Sequence, residues 1–312
     1  MATEFFCLCM SPALDATVTL TAWPSNGVIF KDVSETENVG GKGINVARWL
    51  ALRDAKVACG GLLGADNAAP FEHEMSSHGI GDAFMRVPGV TRRNEMIVTP
   101  EGSFKINRPA FPKLSVDFNA LAAIDADRIA GGSSAATTSS PQRVAILSGS
   151  LPPAVPRVFY ATAIRMLKER GWKTVLDASG EALLLGLDAK PDLIKPNADE
   201  CEPIVGFVPR TPDEFRQATA ILNEKVPFAI ISDGGAGAWF NGEFVAAPQV
   251  DVLDTTSAGD TLLAEFCWRW FNGADCISAA KWAVAAGSAA VTMPGSVPPP
   301  EKLVENLKEN IT

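Results

Sequence analysis

From Arg143 onward, short apolar runs alternate with amphipathic stretches, and this alternation limits the possible folds more than any other feature of the chain. RVAILSGS (143–150), KTVLDAS (173–179), DLIKPN (192–197) and FAIISDGG (228–235) each read as a buried strand ending in small or polar residues. Between them, 155–170, 181–187 and 212–224 read as helices, and Ala-rich 279–293 reads as a buried helix. Strand, helix, strand at this spacing is the pattern of a parallel sheet with helices on its faces. Ligands of such sheets collect beyond the carboxyl ends of the strands. The polar strand ends Ser148, Asp177, Asn197 and Asp233 are therefore expected to lie near one site.

The first third is different. Segments 16–33 and 92–108 are extended, β-branched and mixed in polarity, and a turn is expected at Pro100-Glu101-Gly102. They read as a small half-exposed sheet, with strands within about 12–35 and 90–110, that covers a site and meets a partner subunit. Trp23, Val28, Ile29 and Phe30 are the candidates for its apolar outer face. GGSSAATTSSP (131–141) is too small and polar to be core and reads as a loop. With no internal repeat, residues 1–312 are expected to form a single domain.

Composition removes several function classes. A net charge of −9 with no basic block argues against nucleic acid or an acidic membrane as partner. It leaves open an anionic small molecule, which needs only a few local cations and amides. The six cysteines show no zinc spacing and sit mostly in apolar runs, as reduced thiols of a cytoplasmic protein do. Two histidines, both in FEHEMSSHGIGD, argue against a histidine base or a histidine-ligated metal. The amino-terminal apolar run lacks a basic flank and reads as a first strand, not a signal peptide. No segment has the length and composition of a membrane span.

Two motifs carry chemistry. In DTTSAGDTLLAEFCWRW (254–270), a small-residue turn leads into a helix beginning near Ala258. Backbone amides at such a helix start can approach an anion closely. Asp260, in the first turn, can take a hydroxyl proton while the amides at the helix start stabilise a phosphoryl group in transit. A first-turn aspartate is also favoured by the helix dipole alone. In VGGKGINVARWLA (39–51), Gly40 and Gly41 permit close backbone contact with a polyhydroxylated ligand, and Lys42 and Asn45 add donors; it is not a Walker A loop. Weaker signals are SGSLPP with Ser148, KPNADE with Asn197 and Glu200 at magnesium-compatible spacing, and the turn Ser232-x-Gly234-x-x-Gly237.

In order along the chain, GGKGIN, TRRN, SGSLPP, KPNADE, SDGGAG and TTSAGD resemble the ribokinase-like, or PfkB, carbohydrate kinase family over nearly its whole length. SPALD, GGLLGADN, VTRRN and SGEAL look like its phosphofructokinase branch, which includes 1-phosphofructokinase, tagatose-6-phosphate kinase and the minor 6-phosphofructokinase. The resemblance implies an α/β fold with a central, mostly parallel sheet flanked by helices and a small β-sheet lid. It implies transfer of the γ-phosphoryl of ATP to a hydroxyl of a ketohexose phosphate, with Asp260 as base and Ala258 and Gly259 at the anion hole. By the same resemblance Asp15, Gly40, Gly41, Lys42, Asn45 and Ser148 hold the sugar, and Arg92 and Lys105 hold the phosphate it already carries. Lys195, Asn197, Ser232, Gly234 and Gly237 would bind ATP, and Glu200 would belong to the magnesium network. A homodimer through the lid is implied, and activation by a monovalent cation is left open.

Two positions depart from the family pattern. Ser257 stands where the GAGD turn usually begins with glycine, and Ser11 stands where NPALD has asparagine. The rival readings are a kinase of an unphosphorylated sugar or nucleoside, which would have no use for Arg92 and Lys105, and a catalytically weak sugar-phosphate-binding homologue, favoured only by Ser257.

Overall fold

The computed structural model describes residues 3–24, 29–31, 33–111, 113–114, 116–117 and 141–311. Val28 and nearly all of the 131–141 segment lie outside these residues.

Strand β1 (Glu4–Cys9) pairs in parallel with β4 (Lys56–Gly64) on one side and β8 (Arg143–Ser148) on the other. Beyond them lie β5 (Gly81–Val87), and β9 (Lys173–Asp177) followed by β10 (Leu193–Ile194), giving the order β10-β9-β8-β1-β4-β5. The run FFCLC is buried on both faces, as a central strand under two helical layers must be. Its period-two alternation divides the core. Phe5, Cys7 and Cys9 face one helical layer, and Phe6, Leu8 and Met10 face the other.

The first layer comprises α1 (Lys42–Ala51), α2 (Ala69–Ser77), α7 (Ala258–Phe271), α8 (Cys276–Ala290) and α9 (Glu301–Glu309). The second comprises α3 (Phe159–Glu169), α4 (Gly180–Leu187), α5 (Ala198–Val205) and α6 (Pro212–Asn223). All six thiols are unpaired, and five of them are buried. Among the described residues no helix is long and apolar enough to cross a membrane.

One strand expectation is corrected. Of DLIKPN only Leu193–Ile194 is strand, because Pro196 has no N–H to offer a ladder and Asn197 leaves it to cap α5. The sheet continues through the isolated parallel bridges Ile194–Ala229 and Asn197–Ser232. These lead to β11 (Ile230–Ser232), which runs antiparallel to β12 (Gly237–Phe240), itself antiparallel to β13 (Glu243–Ala246).

The lid is a separate sheet of order β3-β2-β6-β7, with β2 (Ala13–Thr19), β3 (Ser34–Gly40), β6 (Arg93–Thr99) and β7 (Gly102–Ile106). The turn at 100–102 joins β6 and β7 as expected. On the lid Trp23 meets Phe104 edge to face, and Ile29, Val33 and Ile106 are also exposed.

Candidate active site

The parallel register sets Cys9, Ser148 and Asp177 side by side at the carboxyl ends of three neighbouring strands. Above these ends, below the lid, lies a cavity of about 610 Å³. Its walls include Asp15, Gly41, Lys42, Asn45, Arg92, Lys105 and Ser148, and further along Lys195, Asn197, Glu200, Ser232, Gly259 and Asp260. The structure thus brings together most of the residues singled out in the sequence. Gly40, Ala258, Gly234 and Gly237 do not line it: Gly40 ends β3, Ala258 begins α7, Gly234 opens the short turn after β11 and Gly237 begins β12.

Helix α7 starts from a strained residue. Ser257 has φ 66° and ψ −7°, the left-handed region in which glycine is at ease and a side chain is not. The loop before it is tied down through Asp254, whose Oδ1 accepts from the amide of Thr256 at 2.8 Å and from its hydroxyl at 2.6 Å. Lys105 reaches in from the lid to donate to Thr256 Oγ1 at 2.7 Å and lies 3.7 Å from Asp254. The lid and the loop before α7 are thereby linked.

Asp260 is 5% exposed and accepts one hydrogen bond, from Asn45 Nδ2 at 2.8 Å. Burial pushes its carboxyl up to about 6, with Asp177 adding and Lys42, Asn45 and Lys195 opposing. A carboxylate that titrates there is still ionised at neutral pH yet can hold a proton, as a general base must.

Asp177, almost fully buried, binds two lysines: Lys42 Nζ lies 3.2 Å from Oδ2 and Lys195 Nζ 3.2 Å from Oδ1. Burial alone would raise its pKa, but the two ammonium groups hold it below the usual range. Burial likewise opposes the charge of Lys42, but Asp177 and Asp260 outweigh it and raise its pKa, so it stays charged. A side chain at Gly259 would come within 3.4 Å of Lys195 Nζ. One lysine therefore stands against the amino end of α7, where an anion would sit. The sequence showed Asp177 only as a polar strand end; its role as the hub of two lysines is a matter of register.

On the lid side of the cavity, Asp15 Oδ1 accepts from Asn94 Nδ2 at 2.8 Å. A Cβ at Gly40 would lie 1.9 Å from Asp15 Oδ2, so only glycine leaves that carboxylate in place. Ser148 Oγ is buried, belongs to a wall-lining residue and has no hydrogen-bond partner among the described residues. An orphaned hydroxyl at a cavity wall is costly unless a ligand uses it.

Arg92 donates to three backbone carbonyls, those of Arg108 (2.8 Å), Ser11 (3.1 Å) and Pro12 (3.4 Å), and forms no ion pair among the described residues. It braces the base of the lid while its charge faces the cavity. Its neighbour Arg93 instead pairs with Glu35, Glu37 and Glu95 on the lid. At the far end Asn197 and Glu200 form a capping box for α5, with both bonds at 2.9 Å. One Glu200 oxygen, Oε2, is occupied there. Gly237, φ 135°, packs so closely that a Cβ would meet Val245 O at 2.2 Å, which makes it a structural glycine.

The profile of the pfkB family carbohydrate kinases matches residues 14–303. The 1-phosphofructokinase of Vibrio cholerae is 33% identical over 298 residues, covering 92% of this chain and 89% of that protein. The 1-phosphofructokinase of Rhodobacter capsulatus is 33% identical over 302 residues, covering 94% and 92%. Among solved structures, phosphofructokinase-2 from Escherichia coli superposes with a TM-score of 0.86 at 22% identity, covering 99% of both chains. Ribokinase from Arabidopsis thaliana superposes with a TM-score of 0.73 at 23% identity. At these identities the structural likenesses establish the ribokinase-like fold.

Proposed function

The chain belongs to the pfkB carbohydrate kinase family and is an ATP-dependent sugar kinase, and on that premise we propose that it phosphorylates a ketohexose phosphate with Asp260 as the base. Candidate acceptors are fructose 1-phosphate, fructose 6-phosphate and tagatose 6-phosphate. The observation that carries the reading is the meeting of α1 and α7, where buried Asp260, Asn45 and the Lys42–Asp177–Lys195 group converge on one cavity.

Asp260 would accept the proton of the attacking hydroxyl as its oxygen bonds to the γ-phosphorus and ADP leaves. Charge spread over the transferring oxygens would be met by the amides at the start of α7 and by the lysines held on Asp177. Asp15 and Asn94 would orient the sugar, and Ser148 would give its free hydroxyl a partner. Arg92 and Lys105 would face the phosphate already present. Two cations beside a neutral sugar would be wasted, although the backbone bonds of Arg92 and the contacts of Lys105 with Thr256 and Asp254 are what a free-sugar reading would rest on.

ATP would lie along Lys195, Asn197 and Ser232, with the Gly234 and Gly237 turn shaping that end. Magnesium keeps much of its water and needs few protein ligands, so Glu200, with one oxygen outside the capping box, fits it. When bound, the ion would offset charge on the ATP phosphates. The lid would exclude water on closing, and its apolar outer face, Trp23, Ile29 and Phe104, would pair two copies of the chain.

Asp260→Asn tests the base. A positioned base is worth roughly 10²- to 10⁴-fold in rate, so kcat should fall by that factor with the KM for ATP nearly unchanged. An Asp260→Asn enzyme that keeps most of its kcat removes Asp260 from the mechanism.

A further inference from the structure

An asparagine amide can present either a donor or an acceptor to a neighbouring carboxylate, and the two faces act oppositely on it. A donor stabilises the ionised form that a base requires; an acceptor favours the protonated form. In this site the choice is made from behind. Asn45 Nδ2 donates to Asp260 while Asn45 Oδ1 accepts from Arg48 Nη1 at 3.2 Å. A guanidinium has donors and no acceptor, so the amide oxygen must turn toward Arg48 and the amino group toward Asp260.

Arg48 is itself held without freedom. It is 5% exposed, one turn along α1 from Asn45. Its Nε pairs with Glu74 of α2 at 2.5 Å, its Nη2 donates to Val39 O at the root of lid strand β3 at 2.7 Å, and its Nη1 also reaches Ser296 O at 3.1 Å. Three parts of the molecule outside α1 therefore fix one guanidinium, which fixes one amide, which meets the base.

We propose that Arg48 is a positioning residue that locks the Asn45 amide with its amino group toward Asp260, keeping the base ionised without touching any substrate. The proposal rests on the reading of Asp260 as the base. The other charged groups that act on Asp260 are Lys42 of α1, Asp177 at the end of β9 and Lys195 after β10; at the turn before α7, Asp254 is met by Lys105 of lid strand β7. None of them contacts Arg48. The charge of Arg48 is balanced by Glu74, which His78 also approaches at 3.4 Å. The influence on Asp260 is thus carried by the amide's orientation.

The test is the acid limb of the kcat/KM–pH profile in Arg48→Met and Arg48→Lys, each first shown to be folded by circular dichroism. The lysine variant keeps the charge, but its single ammonium is drawn to the Glu74 carboxylate and leaves Asn45 Oδ1 without a fixed donor. In both variants the acid limb should move up by about one pH unit, the scale of one lost hydrogen bond to a charged group. In an Asn45→Ala background, Arg48→Lys should move the limb no further. An unmoved limb in a folded Arg48 variant, an additive shift in the double variant, or loss of folding in both Arg48 variants would overturn the proposal. Failure of the base reading is distinct: it would appear as an active Asp260→Asn enzyme.

Discussion

Replacing Asp260 by asparagine should make the protein more stable as well as inactive, by an amount that depends on pH in a defined way. The ordinary carboxyl titrates at 3.8, and in the fold burial holds it near 6. That difference is about two units, which at about 1.4 kcal/mol per unit is roughly 3 kcal/mol. The sign follows from proton binding. Between these two pH values the folded state holds a proton that the unfolded chain has released, so stability falls as pH rises through this window. Above about pH 6 the whole penalty is present; toward pH 4 it vanishes. Asparagine carries no charge and still offers an oxygen to Asn45 Nδ2, so it escapes the penalty and keeps the hydrogen bond. Urea or thermal unfolding of both proteins from pH 4 to 8 measures this directly. The variant should gain roughly 3 kcal/mol at pH 7, on the order of 5 °C in Tm for a chain this long, and little at pH 4. An equal gain at both pH values, or none at pH 7, would refute the argument that Asp260 is ionised at a cost.

Ser257→Gly should relieve a left-handed backbone worth about 1–2 kcal/mol, less the roughly 0.4–1 kcal/mol that glycine adds to the entropy of the unfolded chain. The expected outcome is a gain of about 1 kcal/mol with kcat unchanged or raised; a large fall in kcat, reproduced in Ser257→Ala, would show that the hydroxyl is used. Gly40→Ala places a methyl group where Asp15 Oδ2 now lies, so kcat/KM for the sugar should fall at least about tenfold, the scale of one lost charged hydrogen bond, while the KM for ATP stays nearly constant. Arg92→Ala should lower kcat/KM by about one to two decades on a sugar phosphate and much less on the matching free sugar; equal losses on both would mark Arg92 as a brace of the lid alone.

The parallel sheet was legible because its strands are short apolar runs with polar ends, and the approximate start of α7 was legible because small residues give way there to a helical repeat. DLIKPN misled because periodicity does not register that a proline and a capping asparagine end the ladder after two residues. In the site, residues that act through local motifs were visible: Lys42 and Asn45 follow the glycine turn, and Asp260 sits in a first helical turn. Residues that matter through long-range pairing were not. Arg48 reads as one more helix residue until Glu74, Val39 and Ser296 are folded around it. Asn94 reads as a lid residue until β6 is paired with β2 and brings it beside Asp15. Arg92 was visible as a cation near the lid, but its three carbonyl partners come from segments that meet only in the fold.

The claim that the acceptor is already phosphorylated is tested most directly by kcat/KM with ATP for fructose 1-phosphate, fructose 6-phosphate, tagatose 6-phosphate, free fructose and a free nucleoside, followed as ADP release. Two charged contacts to a phosphate are together worth a hundredfold or more, on the order of 1.5–3 kcal/mol each. At least one of the three sugar phosphates should therefore exceed free fructose and the nucleoside by about that factor. Equal or better turnover of a free sugar or nucleoside would contradict the account and leave Arg92 and Lys105 as fasteners between the lid and the sheet.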